Sequence, residues 1–299
     1  MLAAAKQRKS NAMDATSNFS FSFANGSESL TTVDRSAYDP VPERAPFLQL
    51  DISTIISAVY HYERTKDLLD QPALALFRQQ WQLYRKLVDN NYLFHREAYA
   101  RLHQILVDEA VQPFRFLDIA CGDASATVDA LRGTRVAHYH GIDLSQAALD
   151  LASQALETLV CPVTLDRRDF VDALRDRPEP VDVAWIGLSL HHLLAPAKLA
   201  LMREIRGIVG DRGLLLIYEN ASPDGEERDA WLRRWDRQRP SWTALTPEEW
   251  DTMAAHVRAA DFPEMTSRWH SMGHEAGFGE VRELFVAPTD LIRLYCFKA

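Results

Sequence analysis

A carboxylate set 21 residues beyond a glycine turn, Asp143 after Gly122, is the pairing in this sequence of 299 residues most suited to holding a cofactor. The stretch Phe116-Leu-Asp-Ile-Ala-Cys-Gly-Asp-Ala-Ser-Ala126 reads as a strand, a tight turn and the start of a helix, and His140-Gly-Ile-Asp-Leu144 as the next strand with an acid at its tip. Gly122 lets the backbone pass close to a ligand. Asp143 can then accept hydrogen bonds from both hydroxyls of a ribose lying across the strand ends. A dinucleotide would need G-x-G-x-x-G, but Ala120 and Ala124 flank the single Gly122, and Asp123 adds a charge that repels a pyrophosphate. A nicotinamide-dependent dehydrogenase therefore lacks the glycines it requires.

Two further groups of polar residues stand at apolar strand ends. The run 181–190 leads into Leu188-Ser-Leu-His-His-Leu193, and Gly213-Leu-Leu-Leu-Ile-Tyr-Glu-Asn220 ends in an acid and an amide. Glu219 and Asn220 can bind an ammonium or hydroxyl, or serve a solvated loop or helix cap. In the region ahead of the first strand, Tyr60, Tyr62, Tyr92 and His95 offer aromatic faces that favour a cation, with core packing as the alternative. His191 and His192 have no carboxylate or thiolate close by in sequence, and the fourth strand tip has no acidic cluster, so no metal is expected.

The positioning elements follow from periodicity. Residues 163–170 are strand-like and end in Asp169-Phe170; Leu199, Met202, Ile205 and Val209 give a helical stripe; 277–286 and 291–297 read as a hairpin. Residues 1–48, rich in Ser, Thr, Asn and Ala, read as disordered, with Ser10-Asn-Ala-Met13 like a tag-cleavage scar. Residues 49–112 read as a helical cap: Asp70 can cap a helix with Pro72 in its first turn, followed by Leu74, Phe77, Trp81, Tyr84 and Val88, and a further helix covers 96–110. One α/β domain spans 113–299, with an insertion at about 224–268 that carries Trp231, Trp235, Trp242 and Trp250, able to line an acceptor pocket or to pack inward.

Together these motifs resemble the class I S-adenosylmethionine-dependent methyltransferases. The resemblance runs over roughly 113–299, with Asp118 as the acid of the first motif, alanines at its first and third glycine positions (Ala120, Ala124) and Gly122 at the closest approach. It implies a Rossmann-like, seven-stranded, mostly parallel sheet with a C-terminal antiparallel hairpin, preceded by a helical N-terminal cap acting as a lid. It also implies S-adenosyl-L-methionine as cofactor and S-adenosyl-L-homocysteine as product. Asp143 and Leu144 would sit at the ribose, Asp169 and Phe170 at the adenine, and Leu188 near the methionine part. Within that frame His191 or His192 stands beside the transferable methyl as a general base, or else caps the strand or positions the acceptor. Tyr92, His95, Glu219 and Asn220 would contact the acceptor. An Asn/Asp-Pro-Pro-aromatic turn is replaced by Leu188-Ser-Leu-His191, which points to a small-molecule acceptor. The alternative is a non-catalytic cofactor-binding or regulatory module with the same fold.

Charge and cysteines bound the partners. With 33 basic and 42 acidic residues the net charge is -9, which argues against nucleic acid. Cys121, Cys161 and Cys296 are an odd, dispersed set lying in or beside apolar strands, as expected of reduced thiols in a cytoplasmic protein. No apolar run reaches membrane-spanning length, so no membrane is expected, and a monomer or homodimer is.

Overall fold

The computed structural model describes residues 82–176 and 179–299. The expectations for 1–48, for Tyr60 and Tyr62, and for the helix from Asp70 through Trp81 lie outside the described residues. Residues 82–89 are helical, and the chain then alternates helices and strands: α1 (His95–Asp108), β1 (Phe114–Ile119), α2 (Ser125–Leu131), β2 (Val136–Asp143), α3 (Gln146–Leu156), β3 (Val163–Arg167), α4 (Phe170–Arg175), β4 (Val183–Gly187), α5 (Ala195–Ile208) and β5 (Leu214–Ser222). After β5 come α6 (Arg228–Asp236), α7 (Pro247–Ala260), the two-residue β6 (Glu264–Met265), α8 (Thr266–Glu275), β7 (Glu280–Val286) and β8 (Ile292–Lys298).

The strands form one sheet in the order β3-β2-β1-β4-β5-β8-β7, with β6 paired to the end of β5. Strands β1 to β5 are mutually parallel, and β8 runs antiparallel to both β5 and β7. This is the mostly parallel sheet with a C-terminal hairpin that the sequence predicts. The one addition is β6, parallel to Ala221 and Ser222.

Central parallel strands are covered on both faces and so need apolar side chains on both. All nine residues of β5 are buried accordingly, as are Val183 to Ile186 of β4. One face carries Phe116, Tyr139, Trp185, Leu216 and Tyr218 against α1 and α2; the other carries Leu117, Ile142, Ile186 and Ile217 against α4, α5 and α8. The chain runs outward from β1 through β2 to β3, then crosses back to β4 and β5, so the order reverses between β1 and β4. Such a reversal leaves a crevice outside the carboxyl ends of the two strands, where ligands bind in open α/β sheets.

Gly141 keeps β2 in close contact with that crevice. A Cβ there would lie 2.9 Å from a Leu165 methyl carbon and 3.0 Å from the Cys121 sulfur, so any larger residue would push these side chains aside.

Candidate active site

The turn after β1 forms the floor of a cavity at the switch point. Ala120, Gly122 and Ala124 have φ of 55°, 56° and 54°, three left-handed residues in alternation. Glycine adopts this conformation without penalty, whereas alanine costs on the order of 1–3 kcal/mol at each position. The two alanines therefore keep the backbone course that a glycine-rich turn would take. Ala124 is also packed in the core.

The turn is held from behind by Asp143. Its Oδ2 accepts the Gly122 N–H at 2.9 Å and its Oδ1 accepts the Ser145 N–H at 2.8 Å. Burial raises the Asp143 pKa, and the backbone donors oppose that rise. Each carboxylate oxygen accepts more than one hydrogen bond, so capacity remains for further donors. Asp118 is buried beneath the turn and accepts the Tyr139 hydroxyl at 2.8 Å. Burial pushes its pKa up to about 7, against the lowering effect of the Tyr139 and Thr127 hydrogen bonds.

The cavity encloses about 60 Å³ between residues 120–127 of the turn, Trp185 and Gly187 of β4, His95 and Tyr99 of α1, and Tyr84, Arg85 and Val88 of the preceding helical segment. Sites that enclose drug-sized ligands run to roughly 300–1,000 Å³, so the cavity is smaller than such a site. One surface pair ties that segment to the turn: Arg85 Nη1 donates to Asp123 Oδ2 at 3.0 Å. The walls are aromatic, with Tyr99 and Trp185 centroids 5.1 Å apart and the His95 ring stacked on Tyr99 at 6.1 Å. Burial pushes His95 down to about 4, so its imidazole is neutral near pH 7.

Asp169 stands at the tip of β3 as the N-cap of α4, its Oδ1 accepting the N–H groups of Val171 and Asp172 at 2.8 and 3.4 Å. Phe170, the first residue of α4, is partly buried against the core on that helix's side of the sheet. Leu144 lies between the Asp143 tip and the Ser145 cap of α3. Leu188 is left-handed at φ 49° and donates its N–H to the Tyr218 carbonyl at 2.7 Å.

The residues expected at the acceptor divide. His95 lines the cavity. Tyr92 does not line it; its hydroxyl accepts the Ala244 N–H and its ring stacks on Trp242. Glu219, 1% exposed, is filled by protein donors: Oε2 takes the N–H groups of Ser189 and Leu190 at 2.9 and 2.6 Å, while Oε1 takes His191 Nδ1 at 2.5 Å and the Asn220 N–H at 2.7 Å. Asn220 donates to Asp261 Oδ2 at 2.9 Å. Trp231, Trp235, Trp242 and Trp250 are all buried, the last three packed together edge-to-face or tilted with centroids 4.4–5.7 Å apart, and none lines the cavity.

His191 and His192 form a 3-10 turn after β4 and lie away from the cavity-lining set. Burial opposes protonation of His191, but Glu219 and Asp261 outweigh it and raise its pKa. His192 is pushed down to about 2 by burial and by its neighbours His191 and His256, and its Nδ1 lies 3.3 Å from the Ala260 carbonyl. The sequence offered no carboxylate beside these histidines; the fold corrects this by bringing Asp261 from the end of α7 against both. Cavity residues Tyr99 and Trp185, and the Asp261 cluster, escaped sequence reading because contact across elements creates them; only the apolar run through Trp185 hinted at one of them.

Gly122 separates fold from ligand. A Cβ there meets nothing within 4 Å, so Gly122→Ala should cost only the left-handed strain, about 1 kcal/mol or a melting-temperature drop of roughly 2–4 °C. The same Cβ would project from the cavity floor. We expect S-adenosylhomocysteine affinity to fall by at least about tenfold, roughly 1.4 kcal/mol, in titration calorimetry; equal affinity in the variant would show that no cofactor passes over this turn.

Comparison with known proteins agrees with the geometry. Residues 116–213 match the family model described as a methyltransferase domain. No curated protein sequence matches the chain. Among solved structures, an O-methyltransferase family protein from Burkholderia thailandensis aligns with a TM-score of 0.54 at 16% identity, over 84% of this chain and 63% of that one. Magnesium protoporphyrin IX methyltransferase from Synechocystis PCC 6803, solved with bound S-adenosylhomocysteine, aligns with a TM-score of 0.52 at 14% identity, over 74% of this chain and 94% of that one. The chain spans 54% of the length of the pyocyanin biosynthetic protein, at 18% identity, a TM-score of 0.46 and over 66% of its own length. At these identities the likeness to the first two is one of fold alone.

Proposed function

We propose that this chain is a class I S-adenosylmethionine-dependent methyltransferase, a reading its matched domain and its fold support, and that it transfers the methyl group to a small-molecule acceptor held against the aromatic wall of the switch-point cavity. The observation that carries this reading is the left-handed turn 120–124, clamped by Asp143, on the floor of a cavity walled by Tyr84, His95, Tyr99 and Trp185.

The residues present fit the cofactor. Gly122 leaves its ligand side open, the spare lone pairs of Asp143 suit the ribose hydroxyls, and Asp169, whose cap bonds use Oδ1, has Oδ2 for the adenine amino group beside Phe170. Of the other residues expected at the cofactor, Ala120 lines the cavity, Asp118 lies buried beneath the turn, and Leu144 and Leu188 follow the ends of β2 and β4 without lining it. When bound, S-adenosylmethionine supplies an electrophilic methyl on a sulfonium. The protein's share is alignment and exclusion of water, for which the aromatic wall and the segment 82–89 are placed. A neutral His95 adds no positive charge beside a sulfonium, and the aromatic faces attract it. For His191 and His192, geometry supports a positioning role over the base role expected from sequence: one is bound to Glu219, and the other is buried against the Ala260 carbonyl, where neighbouring imidazoles disfavour its taking up a second proton.

The net charge of -9 supports a small acceptor over a nucleic acid. Among the described residues no helix is long and apolar enough to cross a membrane. The domain reading proposed is an N-terminal segment to about 48, a cap over 49–112, and the catalytic domain from 113, with residues 224–268 forming its tryptophan-packed insertion. Cytoplasmic location and a monomer or homodimer remain part of the proposal. A non-catalytic module finds less support, since Ala120 and Ala124 adopt the conformation that glycines would.

Calorimetry with S-adenosylhomocysteine and with NAD tests the cofactor, and production of S-adenosylhomocysteine across amine, phenol, thiol and carboxylate acceptor panels tests the reaction. Binding of NAD alone would overturn the assignment. Tight cofactor binding without turnover on any panel would favour the module.

A further inference from the structure

Outside the set of residues that line the cavity, three imidazoles converge on one carboxylate oxygen. His191 Nε2, His192 Nδ1 and His256 Nε2 lie 3.8, 3.9 and 3.7 Å from Asp261 Oδ1. Asp261 is 3% exposed, and Oδ1 has no hydrogen-bond partner, although buried acceptors are nearly always satisfied. The separations exceed the roughly 2.7–3.2 Å of a hydrogen bond. They approach the spacing of about 3.3 Å between ligand atoms that tetrahedral zinc imposes with bonds of about 2.0–2.2 Å. We propose that His191 Nε2, His192 Nδ1 and Asp261 Oδ1 bind a zinc-type divalent cation, with His256 or water in the fourth position.

Those three ligand atoms all lie within 4.8 Å of one another. The surroundings are those of a built site. His191 Nδ1 lies 2.5 Å from Glu219 Oε1, a bond that places the proton on Nδ1 and leaves the Nε2 lone pair facing Asp261. A carboxylate behind a ligating histidine is the usual outer partner of zinc. Asn220 holds the other Asp261 oxygen at 2.9 Å, leaving Oδ1 to point at the histidines. Fully buried Lys198 anchors the following segment through the Phe262 carbonyl and, at 2.8 Å, Glu264, while the Phe262 N–H bonds the His191 carbonyl at 2.8 Å. His192 would give up its Ala260 contact on ligation, and its 29% side-chain exposure provides a route in for the ion. Nitrogen and oxygen donors of this kind select zinc over calcium or magnesium. The ion would staple the turn after β4 to the end of α7, and because its ligands do not line the cavity its role is structural.

The test uses the full chain purified without a polyhistidine tag, stripped with a chelator and dialysed. Adding Zn²⁺ should restore one ion per chain by elemental analysis and raise the melting temperature by several degrees, and Co²⁺ should give the visible absorption of a tetrahedral site. Asp261→Asn and the half-exposed His192→Ala should each abolish uptake and the thermal response, with folding verified by circular dichroism, while His270→Ala keeps both. Failure of the stripped wild-type chain to take up stoichiometric metal, or uptake that persists in both His192→Ala and Asp261→Asn, overturns the site.

Discussion

Asp143→Ala should lower S-adenosylhomocysteine affinity by about 100- to 10,000-fold. Two hydrogen bonds from ribose hydroxyls to a charged acceptor contribute about 1.5–3 kcal/mol each, and each tenfold is about 1.4 kcal/mol. The loss has a second source in this chain. The Gly122 N–H bonds Asp143 Oδ2, so the substitution also frees the turn that forms the cavity floor. Asp143→Asn keeps one acceptor oxygen and should fall between the wild type and the alanine variant. A calorimetric change below about tenfold for Asp143→Ala would remove the ribose role from this residue.

The second large effect is on stability. Glu219→Gln should destabilise the fold by about 3–5 kcal/mol, because it removes a buried negative charge on which four donors converge, and lower the melting temperature by roughly 10 °C. The Glu219 carboxylate accepts from Ser189, Leu190, Asn220 and His191, and an amide would turn an NH2 group toward at least one of these donors. Burial works against its charge, yet His191 and these donors hold its pKa below the usual carboxylate range. Thermal melting at neutral pH measures the outcome. An unchanged melting temperature with a raised acceptor KM would restore Glu219 to the acceptor-binding role that its place at a strand tip suggests.

The two residues mark how far sequence reaches. Asp143 is legible because its partners are local in pattern: a strand, a glycine turn, a second strand and an acid follow one another along the chain, and parallel pairing of β1 with β2 brings Gly122 to Asp143. The core strands are legible for the same reason. Burial on both faces demands continuous apolar runs, and β4 and β5 carry them. Boundaries shift where tertiary pairing intervenes: the fifth strand, expected to end at Asn220, runs on to Ser222 because β6 pairs with its last residues. A two-residue strand has no periodicity of its own to read.

Glu219 and the histidines show the opposite case. At a strand tip in sequence, Glu219 looks like a ligand-facing acid, but the turn of Leu190–His192 folds back over it and uses every oxygen. His192 and Asp261 are 69 residues apart, too distant for any spacing motif, and meet because α7 ends beside the β4 turn. The four tryptophans were open to either fate at helical spacing; packing of α6, α7 and the turns between them turned them inward. The sequence by itself determined the strand order's raw material, the glycine turn and the acid 21 residues on, because strand burial and tight turns are encoded in adjacent residues. Only the tertiary structure decided which polar side chains face a ligand and which satisfy buried backbone, because that choice depends on what an element far along the chain brings within hydrogen-bonding distance.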